Sequence, residues 1–145
     1  MQLAQLNIAQ LTAPLESDEI SEFRNFLGPV NQLAESSPGF VWRLEGDNSS
    51  TSTDLADHPW NYDPMIIVNM SVWEDLESLR NFTHQTVHSY FMRSRARWFH
   101  KLAHPNYVLW WVEDGHIPTL AEAKERLDIL EKEGPGERGF TFART

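Results

Sequence analysis

A few polar residues lie in otherwise apolar segments of this chain, at spacings that could serve chemistry. Asn69 and Trp73 stand four residues apart in the segment 65–73, and because side chains alternate along a strand, they are predicted to share one face. The amide can donate a hydrogen bond to a developing oxyanion or a peroxo oxygen. His88 follows on a predicted helix, where a neutral imidazole can remove a proton. The predicted catalytic set is Asn69, Trp73 and His88.

A structural role is the alternative for each of these polar groups. Asn7 lies in the alternating segment 4–9 and is predicted to point away from its apolar neighbours. Like Asn69, it can bind a ligand, or it can satisfy another polar group inside the sheet, because a buried amide without a partner is destabilising. His88 can likewise bond a backbone carbonyl.

Histidine spacing gives little support to a metal site. His84 and His88 stand four residues apart, which can place two imidazoles on one metal ion, but no carboxylate accompanies them in a zinc-hydrolase pattern. His100 and His104 repeat the spacing, yet His104 precedes Pro105 and is expected beyond the helix end. We therefore predict no bound metal.

Six tryptophans are many for this length, and most are expected to fill the core. A flat apolar ligand needs walls of the same kind. Trp73 is one candidate wall, and Trp60 is another because the polar connection 46–64 ends in an aromatic segment that looks like a lid. Trp110 and Trp111 point in opposite directions, so at most one of them lines a pocket. The predicted substrate-binding set is Asn7, Trp42, Trp60, Arg95, Trp98 and Trp111.

Arg95 lies at helical spacing from Trp98 and is flanked by Arg93 and Arg97. If it turns inward, its guanidinium can pair with a ligand carboxylate or with Glu45. The alternative is a solvated basic stripe.

Composition excludes several classes of function. The formal net charge is −9, from 21 acidic and 12 basic residues, which disfavours nucleic acid as a partner. Cysteine is absent, so disulfides, iron–sulfur clusters and a cysteine nucleophile are excluded. No segment approaches the roughly 20 apolar residues that span a bilayer, and the first residues do not form a signal peptide. We therefore expect a cytoplasmic protein without a membrane partner.

The predicted elements follow the order strand, helix, strand, strand, helix, strand, with an added helix and tail. Their approximate ranges are 4–9, 17–33, 40–45, 65–73, 76–102, 107–112, 119–133 and 139–143. This order is the split βαβ pattern of a ferredoxin-like fold. We predict one α+β domain over residues 1–145, with an antiparallel sheet and its helices on one face. The other face is also apolar, which favours a homodimer in which a second copy covers it.

Five segments resemble an uncharacterised bacterial domain family grouped with the dimeric α+β barrels: LAQLNIAQL, PGFVWRL, IIVNMSVWEDLESLRNF, RARWFHKL and LWWVEDGHIPTLAEAKERL. That superfamily includes cofactor-free antibiotic-biosynthesis monooxygenases and haem-degrading monooxygenases. The resemblance to the former implies roles for Asn69 and Trp73. The resemblance to the latter implies a triad of Asn7, Trp73 and either His84 or His88.

Three functions follow as expectations. The first is a homodimer that binds a small apolar or aromatic molecule and oxidises a flat, quinol-like substrate without a cofactor. In that reaction His88 removes a proton, Asn69 stabilises the oxyanion, Trp73 holds the ring and Arg95 anchors an acidic substituent. The second is a haem-binding or haem-degrading protein with His88 or His84 on the iron. The third is a non-catalytic ligand-binding or structural dimer.

Overall fold

The computed structural model describes residues 1–47, 51–87 and 97–144 of the chain. Within these ranges the chain forms five strands and three α-helices. The strands are β1 Gln2–Leu11, β2 Phe40–Arg43, β3 Ile66–Trp73, β4 Phe99–His100 and β5 Tyr107–Val112. The helices are α1 Ser21–Ser36, α2 Leu76–Val87 and α3 Leu120–Glu133. No described helix has the length and apolar character needed to cross a bilayer.

The sheet is antiparallel throughout and is built around β1. On one side β1 pairs with β3, which in turn pairs with β2. On the other side the first part of β1 pairs with β5, and its end pairs with β4. The order β2–β3–β1–β5 is that of the predicted split βαβ pattern, and the sheet is open. The predicted antiparallel α+β class is confirmed.

The predicted long helix over 76–102 is wrong at its end. Phe99 and His100 form β4 and pair with Leu11 and Gln10. Since β1 extends to Leu11, beyond its pairing with β5, its backbone groups there can pair with another segment. This strand pairing outweighs the helical spacing of the side chains around Phe99. The residues between 88 and 96 lie outside the described part of the chain.

One face of the sheet, which we call the α3 face, is covered by α3. Alternate residues of β1, β3 and β5 form its apolar surface: Ala4, Leu6, Ile8, Ile66, Val68, Met70, Val72, Val108, Trp110 and Val112. From α3, Ala123, Leu127 and Leu130 pack against them. The prediction that all helices lie on one face is therefore wrong. Since α3 of the same chain covers this face, the apolar pattern of the sheet no longer requires a second copy.

The connection between β2 and β3 also packs on the α3 face. Trp60 is 4% exposed and belongs to the same apolar cluster, while Ser52 Oγ donates a 2.6 Å hydrogen bond to the carbonyl of Val68. His58 is buried beside Trp60, and its Nδ1 accepts the Trp60 backbone N–H at 3.2 Å. His58 and Trp60 are thus part of the core, while Tyr62 at the end of the segment is 74% exposed. The prediction of a lid is corrected.

The opposite face, the α1/α2 face, is covered by two apolar clusters. At one end Leu3, Trp73 and Leu109 contact Ala34 of α1 and Leu79 of α2. At the other end the cluster contains residues from β1, from the segment that follows it, from the beginning of α1 and from the segment before β4: Leu11, Ala13, Ile20, Phe23 and Trp98. The middle of this face is polar.

The C-terminal elements follow the sequence prediction. Thr119 caps α3, because its Oγ1 accepts the Glu122 backbone N–H at 3.1 Å, and Gly134 ends the helix with a φ of 79°. The tail then returns to the sheet, where Phe140 and Leu109 exchange two backbone hydrogen bonds of 2.8 and 2.9 Å. Within the predicted range 139–143, the tail thus adds an isolated bridge to the edge of β5.

Candidate functional site

Four polar residues form the middle of the α1/α2 face, and we call them the polar stripe: Gln5, Asn7, Asn69 and Ser71. Asn7 lies directly opposite Asn69, and Gln5 lies opposite Ser71. They share a face because they occupy alternate positions of the two central strands. Gln5 and Ser71 are buried, and the two asparagines are half-buried. The strand alternation therefore places a polar patch between two apolar clusters.

Hydrogen bonds connect the whole stripe. Gln5 Nε2 donates to Asn69 Oδ1 and to Ser71 Oγ, both at 2.8 Å. Asn7 Nδ2 donates to Gln5 Oε1 at 3.1 Å and to Asn69 Oδ1 at 3.3 Å. The three amide orientations are mutually consistent, since reversing Gln5 alone would bring its carbonyl oxygen against that of Asn69. Gln5 is the residue that holds the other three in place.

Two amide atoms of the stripe have no hydrogen-bond partner within residues 1–47, 51–87 and 97–144. They are Asn69 Nδ2, which is a donor, and Asn7 Oδ1, which is an acceptor. The oxygen of the first amide and the nitrogen of the second are already used inside the stripe. The asparagine pair thus presents one donor and one acceptor from neighbouring strands.

Trp73 contacts the stripe through its indole N–H and not through its ring faces. Its Nε1 donates to Ser71 Oγ at 2.9 Å. The ring is completely buried, stacked on Phe82 at 5.1 Å between ring centroids and edge-on to Phe40 at 5.5 Å. The sequence prediction that Trp73 shares a face with Asn69 is confirmed. Its predicted role of holding a substrate ring stays a prediction, and the ring already lies against two phenylalanines.

The other predicted wall residues are distributed over both faces. Trp42 and Trp60 pack on the α3 face. Trp98 lies on the α1/α2 face but at the far end, against Phe23. The sheet separates Trp60 from Trp73, so one pocket cannot contain both, and the expectation of a pocket that they share is corrected.

The last two tryptophans point in opposite directions, as predicted. Trp111 is on the α1/α2 face, is 38% exposed and lies beside Phe140. Trp110 is buried on the α3 face, where its Nε1 donates to Glu122 Oε2 at 2.8 Å. Of these two tryptophans, Trp111 is the one that lies on the same face as the polar stripe.

The predicted general base, His88, and the predicted anchor for an acidic substituent, Arg95, are not among the described residues, so their roles stay predictions. His84 is exposed on α2. Within the described ranges no three His, Cys, Asp or Glu side chains cluster in a way that could hold a metal ion.

Sequence analysis missed Gln5, although a signal was present. Gln5 precedes Asn7 by two residues in an alternating strand, so both had to share a face. The alternation within β1 does not show which polar residues of β3 lie opposite. Pairing Gln5 and Asn7 with Ser71 and Asn69 requires the register of the two strands, which the sequence does not contain.

A second polar group lies on the α3 side, at the start of α3. The carboxylate of Glu122 accepts from Trp110 and lies 2.7 Å from Nε2 of the exposed His116. Burial is the largest influence and would raise the pKa of Glu122, but the hydrogen bonds from His116 and Trp110 and the charges of His116 and Arg126 together lower that pKa. This group anchors the loop before α3 to the sheet.

Fold and stripe together define an α+β protein with an open antiparallel sheet that is covered by helices on both faces. A polar patch lies at the centre of the α1/α2 face. The chain belongs to the family described as Domain of unknown function (DUF3291), whose profile matches residues 2–145. The predicted membership of an uncharacterised domain family is confirmed. No curated protein matches the chain.

Among solved structures, the chain is similar to the crystal structure of the NE2512 protein of unknown function from Nitrosomonas europaea. The TM-score is 0.53 at 13% sequence identity, and the similarity covers 81% of this chain and 95% of that chain. At this identity the similarity concerns the fold alone.

Proposed function

We propose that this protein binds a flat, mostly apolar small molecule at the polar stripe on the α1/α2 face. The observation that carries the proposal is the pair of amide atoms, Asn69 Nδ2 and Asn7 Oδ1, without partners among the described residues. The two asparagines are half-buried and not fully enclosed, so a ligand can reach these atoms and satisfy both.

The surroundings of the stripe supply the apolar contacts. Leu109 of β5 lies opposite Gln5 on this face. On β3, Ile67 is the neighbour of Asn69 on the same face, two residues before it. Tyr107 lies opposite Asn7 on β5 and is half-buried. A few fixed polar groups among apolar side chains are typical of small-molecule sites, in which the apolar area gives affinity and the polar groups give orientation.

A second candidate, cofactor-free oxygenation, is favoured by the orientation of Asn69. Its Oδ1 is fixed by Gln5 and Asn7, so its Nδ2 is held as a donor before any ligand binds. A donor that needs no rearrangement stabilises an oxyanion better than a mobile one. In this proposal His88 removes the substrate proton and Asn69 stabilises the resulting anion. Oxygen uptake with 1,4-dihydroxynaphthalene, above the rate of the same solution without protein, would support it.

Haem is not used in this proposal. The described residues do not gather the groups that the resemblance implies, because His84 is exposed and the ring of Trp73 lies between Phe40 and Phe82. His88 is outside the described residues. Haem binding stays a prediction, which a haemin titration followed by visible absorbance tests, with His84→Ala and His88→Ala variants beside the wild type.

Homodimerisation is part of the proposal and rests on the resemblance to the dimeric α+β barrels. The apolar pattern of the sheet does not support it, because α3 covers the face that a second copy was expected to cover. Sedimentation equilibrium tests it directly: a dimer gives twice the mass of one chain. A single-chain mass at all concentrations would contradict it.

The binding proposal is tested by isothermal titration with 2-naphthol, a flat apolar molecule with one hydroxyl. We expect saturable binding near one molecule per chain, weakened about tenfold in Asn69→Ala, since one hydrogen bond to the ligand is lost. Asn25→Ala, which changes an exposed asparagine of α1, is the matched control and should bind like the wild type. Absence of binding, or equal binding by both variants, would contradict the proposal.

A further inference from the structure

The arrangement of the asparagine pair restricts the kind of polar group that a ligand can present. Asn69 contributes only a donor, because its Oδ1 already accepts from Gln5 and Asn7. Asn7 contributes only an acceptor, because its Nδ2 already donates to Gln5 and Asn69. The two residues lie directly opposite each other on paired strands, where the Cβ atoms of such residues are about 4.5–5.5 Å apart. A ligand must therefore offer an acceptor and a donor side by side.

The stripe also carries no formal charge. Its four members are amides and a hydroxyl, and no charged side chain of the described residues forms a hydrogen bond or ion pair with them. An anionic ligand such as a carboxylate would place a negative oxygen against Asn7 Oδ1 without a neighbouring cation to compensate. Burial of an unpaired charge is unfavourable, so this site disfavours anions.

We propose that the Asn7–Asn69 pair recognises an uncharged planar group with a carbonyl next to an N–H, of the cyclic amide (lactam) class. The ligand carbonyl would accept from Asn69 Nδ2, and the ligand N–H would donate to Asn7 Oδ1. Gln5 acts as a positioning residue, because it fixes which atom of each asparagine faces the ligand. This inference rests on the binding function proposed above and specifies the ligand class of the same site.

Three matched bicyclic probes test the inference: 2-quinolinone, N-methyl-2-quinolinone and quinoline-2-carboxylate. The first offers both groups, the second lacks the donor, and the third is an anion. Binding is followed in ¹H–¹⁵N spectra through the side-chain amide of Asn69, assigned as the signal pair missing from Asn69→Asp. We expect 2-quinolinone to bind about tenfold more tightly than either of the others, since each lacks one hydrogen bond or introduces a repulsion.

Variants separate recognition by the pair from general affinity. Because Asn69→Asp lacks the reporter amide, the variants are compared by isothermal titration. Asn69→Asp replaces the donor by an acceptor and should weaken the binding of 2-quinolinone about tenfold, while Asn25→Asp adds the same charge at an exposed site and should leave the affinity unchanged. Gln5→Met should reduce the preference for 2-quinolinone over its N-methyl derivative, because the asparagine amides can then turn.

The outcomes distinguish this inference from the binding function itself. Equal affinities for the three probes, together with binding of 2-naphthol, would overturn the lactam inference and leave the site in place. If neither 2-naphthol nor any of the three probes shifts the Asn69 amide, both are overturned. A preference for the carboxylate would overturn the inference and point to a cation outside the described residues.

Discussion

The two faces of the sheet are built from the same strands but differ in what their centres contain. On the α3 face, apolar residues run without interruption from Ala4 to Ile8 and across to Val108. On the α1/α2 face, two apolar clusters are separated by the polar stripe. Both faces are covered by helices, so burial alone does not explain the difference. The difference underlies our proposal that the α3 face serves stability and the α1/α2 face serves binding.

The largest expected effect concerns the α3 face. Leu6 is completely buried there, and Leu6→Ala should lower the free energy of unfolding by about 2–5 kcal/mol, because it leaves a cavity in a closely packed cluster. Urea denaturation followed by circular dichroism measures it. Ile117→Ala, at a position 57% exposed, should change the stability by less than about 0.5 kcal/mol. A Leu6→Ala cost as small as that of the control would show that this face is not a packed core.

The next effect concerns the centre of the polar stripe. Gln5→Met keeps the side-chain length but removes three hydrogen bonds, so that Asn7, Asn69 and Ser71 each lose one of their partners, and should cost about 1–3 kcal/mol. Gln32→Met, at an exposed position of α1, is the control for the same chemical change. If Gln5→Met is as stable as the wild type, the stripe does not act as a connected network.

A pH effect should distinguish the α3 face from the stripe, which has no titratable group. Burial lowers the pKa of His58 below its ordinary value of 6.5, although the charge of Asp57 and a hydrogen bond to the Ile66 backbone oppose the shift. A depressed histidine pKa stabilises the fold fully above pH 6.5, and this contribution is lost as the pH falls.

The unfolding free energy should therefore decrease below pH 6.5, with a slope from this residue of at most about 1.4 kcal/mol per pH unit. His58→Asn keeps an acceptor for the Trp60 N–H and should flatten the profile between pH 7.5 and 5.5. An unchanged slope in this variant would assign the pH dependence to another group.

The smallest expected effect is at Glu122. Because the pKa of Glu122 is lowered in the folded protein, its carboxylate stabilises the fold at pH values above 4.5, the ordinary pKa of the group. This contribution is lost as the pH falls through the lowered pKa. Glu122→Gln keeps an acceptor for Trp110 but loses the charge beside the exposed His116, so it should cost no more than about 1 kcal/mol near neutral pH. The difference from the wild type should vanish in acid. A difference that grows in acid would contradict this assignment.

The sequence contained the class of fold and the faces of single strands, but not what covers each face. Alternation placed Asn69 with Trp73 and separated Trp110 from Trp111, because it follows from the geometry of a strand. The predicted range 119–133 agrees with α3 for an equally local reason, because a cap such as Thr119 acts within one turn of the helix. The pattern did not reveal that α3 packs on the opposite face from α1, since an apolar stripe on a helix fits either side of an apolar sheet.

The parts of the site that escaped prediction depend on long-range pairing. Gln5 and Ser71 are 66 residues apart and meet only through the register of β1 and β3. The same register gives β1 the free end at which Phe99 and His100 form a strand. Side-chain types therefore indicated the chemistry of the site, while the strand register decided which of those groups meet.

The central claim is that ligand binds on the α1/α2 face and not on the α3 face, and methyl resonances report on both faces at once. Titration of ¹³C-methyl-labelled protein with 2-naphthol should shift the signals of Ile67 and Leu109, which flank the stripe, and leave those of Leu127 and Leu130 on α3 unchanged. Shifts confined to Leu127 and Leu130 would place the ligand on the other face and contradict the account.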